Sequence, residues 1–207
     1  MIVFAAFSPH PPLLLPEVGS APDRAQVKKT IASLASLGQK LKKTKPDEIL
    51  ISAPHPDWGF NVPLRFLAPD FQGQIKPVLI ELESPQFYFE AGQRLYQMKL
   101  GKEEKTKFAL IASGDASHCL KADGPYGFQA DGPKFDQSLV ECLQGKQIEK
   151  LLQLDEEYPQ AGECGLRSFA FLLGVLDAAG LNWQPEVLSY EGPFGVGYLV
   201  VNFQLHG

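Results

Sequence analysis

The sequence predicts a single α/β domain over residues 1–207, with a mostly parallel central sheet and helices on both faces. Three observations predict it. Short continuous apolar runs alternate with longer stretches of helical period, most of the apolar runs end in proline- or glycine-rich sequence, and no stretch has the composition of a linker. Hydrophobic residues make up 44% and charged residues 21% of the chain, ordinary globular usage that supports one core.

Ile2 to Phe7 is the first buried strand, because it is short, apolar throughout and stopped by Ser8-Pro9-His10-Pro11-Pro12. A helix is predicted over Asp23 to Lys43, where Val27, Ile31, Leu34, Leu37 and Leu41 recur at spacings of three and four. Glu48 to Ala53 is the second strand, and Pro54-His55-Pro56-Asp57-Trp58-Gly59 is the loop after it. Lys76 to Leu82 reads as the third strand, Phe87 to Leu100 as a helix, and Phe108 to Ala112 as a further strand followed by a long glycine-rich loop. Helices are expected at Pro133 to Leu143, Gln147 to Leu154 and Glu163 to Ala179, and two strands at Glu186 to Ser189 and Tyr198 to Gln204.

Composition excludes several function classes. A net charge of −5 attracts no phosphate backbone, so nucleic acid is not expected as a partner. No apolar run approaches the ~20 residues of a membrane span, and the opening run has neither a basic flank nor a cleavage site. Three cysteines without C-x-x-C spacing write neither a disulfide framework nor a structural zinc site, and a cytoplasmic location is expected. Phosphate-loop, dinucleotide and nucleophile-elbow motifs are missing from the sequence.

The chemistry lies in the histidines. His10, His55 and His118 each follow an apolar strand by a few residues. Loops leaving the carboxyl ends of parallel strands deliver their side chains to one crevice, so three imidazoles are expected to converge. His206, next to the end of the sequence, is assigned no role. A metal held by two neutral imidazoles needs an anion, and Glu163 in Ala161-Gly162-Glu163-Cys164-Gly165 is the first candidate. The glycines around it permit close backbone approach. Its plain reading is a first-turn charge on the following helix. Cys164 is either the alternative donor, as a thiolate, or an inert buried residue. Asp115, three residues before His118, is placed to orient an imidazole through its ring N–H.

Ser8 to Gly19, Ser113 to Leu120, Ala161 to Arg167 and Ser189 to Tyr198 together resemble the class III extradiol ring-cleavage dioxygenase catalytic subunits, and more closely their Memo-like branch. The resemblance implies non-haem Fe(II) bound by His10, His55 and Glu163, with zinc or another divalent ion as the alternative. It implies His118 as acid/base, and a small catechol-type aromatic and dioxygen as substrates. Memo-type relatives use a cysteine where dioxygenases use the glutamate, which keeps Cys164 in play. They also imply other functions: a metal-binding partner of a radical-SAM protein and an AMMECR-type protein, without ring cleavage. A metal-dependent hydrolase in the same crevice is the third reading.

Overall fold

The apolar runs pair into one six-stranded sheet in the computed structural model of the chain, which describes residues 1–206. The strands are β1 (Ile2–Ser8), β2 (Glu48–Ala53), β3 (Gln74–Leu79), β4 (Phe108–Ser113), β5 (Asn182–Glu191) and β6 (Tyr198–His206), in spatial order β3-β2-β4-β1-β6-β5. β3, β2, β4 and β1 are parallel; β6 runs antiparallel to β1 and forms a hairpin with β5. Register fixes the functional edge. Ser8 lies opposite Ser113, and Ser52 opposite Ala112, so β1, β4 and β2 end level and release their loops at one rim.

Among the described residues eight α-helices cover the sheet: α1 (Ala21–Gln26), α2 (Lys28–Thr44), α3 (Trp58–Leu67), α4 (Pro85–Met98), α5 (Asp131–Gln144), α6 (Ile148–Leu151), α7 (Leu154–Glu157) and α8 (Leu166–Ala178). Alternate residues of β1 face opposite layers. Phe4 and Ala6 pack with Leu34, Leu37 and Val62 of α2 and α3, while Ala5 and Phe7 pack with α5 and α8. Phe7 stacks on Phe169 with ring centroids 4.1 Å apart. Burial on both faces is why β1 reads as an unbroken apolar run. Each fully buried leucine of the α2 stripe contributes about 2 kcal/mol. No helix among the described residues is long and apolar enough to cross a membrane.

Several elements differ from expectation. The helix predicted over 23–43 is two, broken at Val27 (φ −114°), because Ser20 starts a separate turn through a capping box with Asp23. The third strand begins at Gln74 and stops at Leu79. The helix expected over 147–154 covers only Ile148–Leu151, a second short helix follows at Leu154–Glu157, and α8 begins at Leu166, leaving Glu163 outside it. α3 is unanticipated, since it carries Pro63 in its interior.

Candidate metal centre

His10 leaves β1 buried, and its position is fixed from two sides. Its backbone N–H donates to Asp115 Oδ1 at 3.0 Å, and its ring Nδ1 lies 2.9 Å from Ser113 Oγ. Ser113 commits its hydroxyl proton to the Gly59 carbonyl at 2.5 Å, so its oxygen is left to accept, and Nδ1 carries the ring proton. Nε2 is therefore bare, and it faces Cys164 Sγ at 3.5 Å. Burial first, then the neighbouring His55 and His118, lowers the His10 pKa to about 3. The ring is neutral at physiological pH, the form a metal requires.

The Gly59 carbonyl is free to accept because of Pro63. In α3 it would normally receive the N–H four residues on, and a proline has none. A helix-interior proline thus supplies the acceptor that sets the His10 tautomer. His55, after β2, lies beside His10 with ring centroids 5.2 Å apart and is packed from outside by Trp58 at 4.9 Å.

The third corner is Cys164. His10, His55 and Cys164 place one donor atom each within 4.8 Å of one another, and so do Asp115, His118 and Cys164. Glu163, expected from the sequence as the third ligand, belongs to neither group. Its carboxylate accepts from Leu166 N–H at 2.7 Å and from Arg167 Nη1 at 2.9 Å, while Arg167 also reaches Asp155 at 3.1 Å. It accepts the first N–H of α8 from outside the helix, a place that matches neither the ligand role nor a first-turn position. The physical reason is the turn. Gly162 adopts φ +63°, and a Cβ at Gly114 would stand 2.2 Å from Gly165 Cα, so two glycines let the 162–165 segment press against the end of β4. In that contact the sulfur faces the His10 ring, while the carboxylate, also buried, turns to Arg167 and the start of α8. Asp115 N–H donates to Sγ at 3.3 Å. Burial and the Asp115 charge push the Cys164 thiol well above its ordinary value, so its proton leaves only in exchange for a cation.

His118 joins the cluster, oriented differently from expectation. Its Nδ1 donates to the Gly162 carbonyl at 2.7 Å, while Asp115 Oδ2 stands 3.9 Å from Nε2, beyond a hydrogen bond. Gly162 rather than Asp115 fixes the tautomer, leaving the Nε2 lone pair free. Burial raises Asp115 to about 6, against the His118 charge and the His10 N–H. Tyr126 stacks on the His118 ring at 5.4 Å. A cleft of about 600 Å³ opens beside the cluster, where His55 and Cys164 line it together with Glu163, Arg167, Leu79 and Ile80. Ser113, Trp58 and Tyr126 escaped sequence reasoning; only the serine, ending an apolar strand level with His10, carried a signal.

The donor set fits a divalent metal, with two neutral nitrogens, one ionisable sulfur and a buried carboxylate alongside. The crystal structure of an uncharacterized protein, JW3007 of Escherichia coli K12, superposes with a TM-score of 0.63 at 15% identity, covering 97% of this chain and 99% of that one, a likeness of fold. Protein CA_C1420 of Clostridium acetobutylicum is 45% identical over 107 residues, 51% of this chain and 22% of its own length. The chain thus matches about a fifth of that longer relative. The family model described as the catalytic LigB subunit of aromatic ring-opening dioxygenase matches residues 53–201, a segment that holds His55, Asp115, His118 and Cys164, and the chain belongs to that LigB family.

Proposed function

We propose that the chain holds one divalent ion with His10, His55 and Cys164 and uses it on a small dihydroxylated aromatic, in a dioxygen-dependent reaction of the ring-opening class. The observation that carries this is the convergence of three donor atoms within 4.8 Å, two of them on residues that line an open cleft, beside an imidazole whose lone pair is free. Two nitrogens and a sulfur on one side of an ion leave its other positions to substrate and oxygen. When bound, the ion supplies Lewis acidity and, as Fe(II), electron exchange with dioxygen.

The chain's own residues account for the rest. His118 Nε2 accepts the proton of a substrate hydroxyl, while the Gly162 carbonyl holds Nδ1–H and Asp115 Oδ2, 3.9 Å away, favours the resulting imidazolium. Proton handling of this kind is worth roughly 10²–10⁴-fold in rate. Leu79 and Ile80 wall the cleft with apolar surface suited to a ring. A thiolate donor favours softer ions than a carboxylate does, so zinc competes with Fe(II). Such a donor also suits a reducing compartment such as the cytoplasm.

One observation favours a second reading. The third donor is a sulfur and Glu163 is engaged elsewhere, which suits a Memo-like metal-holding partner of a radical-SAM system that turns over no catechol. Anaerobic loading with Fe(II), followed by oxygen uptake and ring-fission absorbance across a catechol panel, separates the two. Turnover that His118→Ala abolishes while metal stays bound supports the first. Stoichiometric iron with no oxygen uptake for any catechol gives the second.

A further inference from the structure

Cys164 Sγ belongs to two donor groups at once, one with His10 and His55 and the other with Asp115 and His118. The first group alone supplies three donors, which leaves Asp115 and His118 without a metal-binding role. Asp115 is 4% exposed, and its Oδ1 is taken by the His10 N–H at 3.0 Å. Its Oδ2 makes no hydrogen bond among the described residues; the nitrogens facing it are His10 Nε2 at 3.8 Å and His118 Nε2 at 3.9 Å. Both nitrogens are bare, because each ring proton sits on Nδ1 and is turned to Ser113 or Gly162. A carboxylate oxygen, two imidazole lone pairs and a sulfur thus face one point, where in the metal-free chain the Cys164 S–H is the one donor, shared between His10 Nε2 and the Asp115 carbonyl. One weak S–H donor leaves Asp115 Oδ2 and His118 Nε2 without a partner, and a cation that displaces the thiol proton would serve both.

We propose that Asp115 Oδ2, His118 Nε2 and the Cys164 thiolate form a second cation position for a thiophilic divalent ion such as zinc, and that filling it silences the site. The proposal rests on the reading that His10, His55 and Cys164 hold the first ion. The thiolate bridges both positions. Two dications facing one thiolate and one carboxylate leave uncompensated positive charge, so the second ion binds more weakly than the first. Imidazole, carboxylate and thiolate are all zinc donors. The ion that occupies the lone pair of His118 removes the proton acceptor, so surplus metal acts as an inhibitor of the same centre.

The experiment is a titration of the metal-free full chain with Co²⁺ under anaerobic conditions, following the sulfur-to-cobalt absorption, with Zn²⁺ calorimetry in parallel and histidine ring NMR during the zinc titration. Wild type takes up about two equivalents in two affinity classes, and the His118 ring signals move only with the second. His118→Gln and Asp115→Asn each retain the first class and weaken the second at least about tenfold. His55→Ala does the reverse and retains the second. Asp115→Asn keeps an oxygen for the His10 N–H, so it remains informative where His118→Gln fails to fold by circular dichroism. A single equivalent in wild type, or a second class unchanged in both variants, overturns the second position alone. No uptake at all in wild type overturns the reading beneath it.

Discussion

Alanine at position 164 and glutamine at position 163 test the sulfur that faces His10 against the carboxylate that turns to Arg167. In the metal-free chain, burial and the Asp115 charge hold the Cys164 thiol protonated across the neutral range. Uptake of an ion through the thiolate therefore expels one proton, and apparent affinity rises about tenfold, or about 1.4 kcal/mol, per pH unit between about pH 7 and pH 8. His10 adds nothing to that slope, since its pKa of about 3 keeps it neutral throughout. Cys164→Ala removes one of three donors and flattens the slope, with an expected loss of at least about a thousandfold in affinity. Glu163→Gln keeps an oxygen for Leu166 N–H and leaves affinity within about threefold, although it weakens the pair with Arg167 and lowers stability by about 1 kcal/mol. The assay is Zn²⁺ calorimetry in two buffers of different ionisation enthalpy, which counts the protons released. Affinity lost in the Glu163 variant and kept in the Cys164 variant would refute the assignment and restore the carboxylate.

Ser113→Ala frees the His10 ring to flip or change tautomer and should weaken metal binding about 10–100-fold, read by chelator competition. Acid should weaken the metal-free fold through His10. Its folded pKa, about 3, lies below the unfolded 6.5, so the unfolded chain takes up the proton first and stability falls as pH drops from 6.5 toward 3. The advantage of wild type over His10→Gln in urea melts should shrink by about 2 kcal/mol from pH 7 to pH 5. Asp115, raised to about 6, and Asp136, raised to about 7, both by burial, have the opposite sign and cancel in that comparison. Gly114→Ala puts a Cβ 2.2 Å from Gly165 Cα and must move backbone; a loss of about 2–4 kcal/mol in stability and a weaker metal site are expected, by thermal melting and Zn²⁺ titration.

The strands and the rim were legible because their signals are local. Glu48–Ala53 is the expected strand to the residue, and three histidines past three strand ends do meet at one edge. What the sequence does not carry is the direction of a side chain beyond a turn. Positions 163 and 164 are neighbours with opposite fates, decided by Gly162 in the left-handed region and by a glycine contact between segments about fifty residues apart. Spacing cannot show that. Asp115 illustrates the same limit: the right residue three places before His118, yet the imidazole takes its hydrogen bond from it to a carbonyl of another loop.

The missed helix shows why a local rule fails where a site is built. Proline in the interior of a helix removes one hydrogen bond, which argues against α3 in isolation. Here the freed carbonyl is not lost to the fold. Gly59 O takes the proton of Ser113, Ser113 takes the proton of His10, and His10 is left with a bare nitrogen facing a sulfur. The partners come from the loop after β1, from β4 and from α3, so the relay exists only once the sheet has brought them level. The proline that weakens the helix as a helix gives the centre its tautomer.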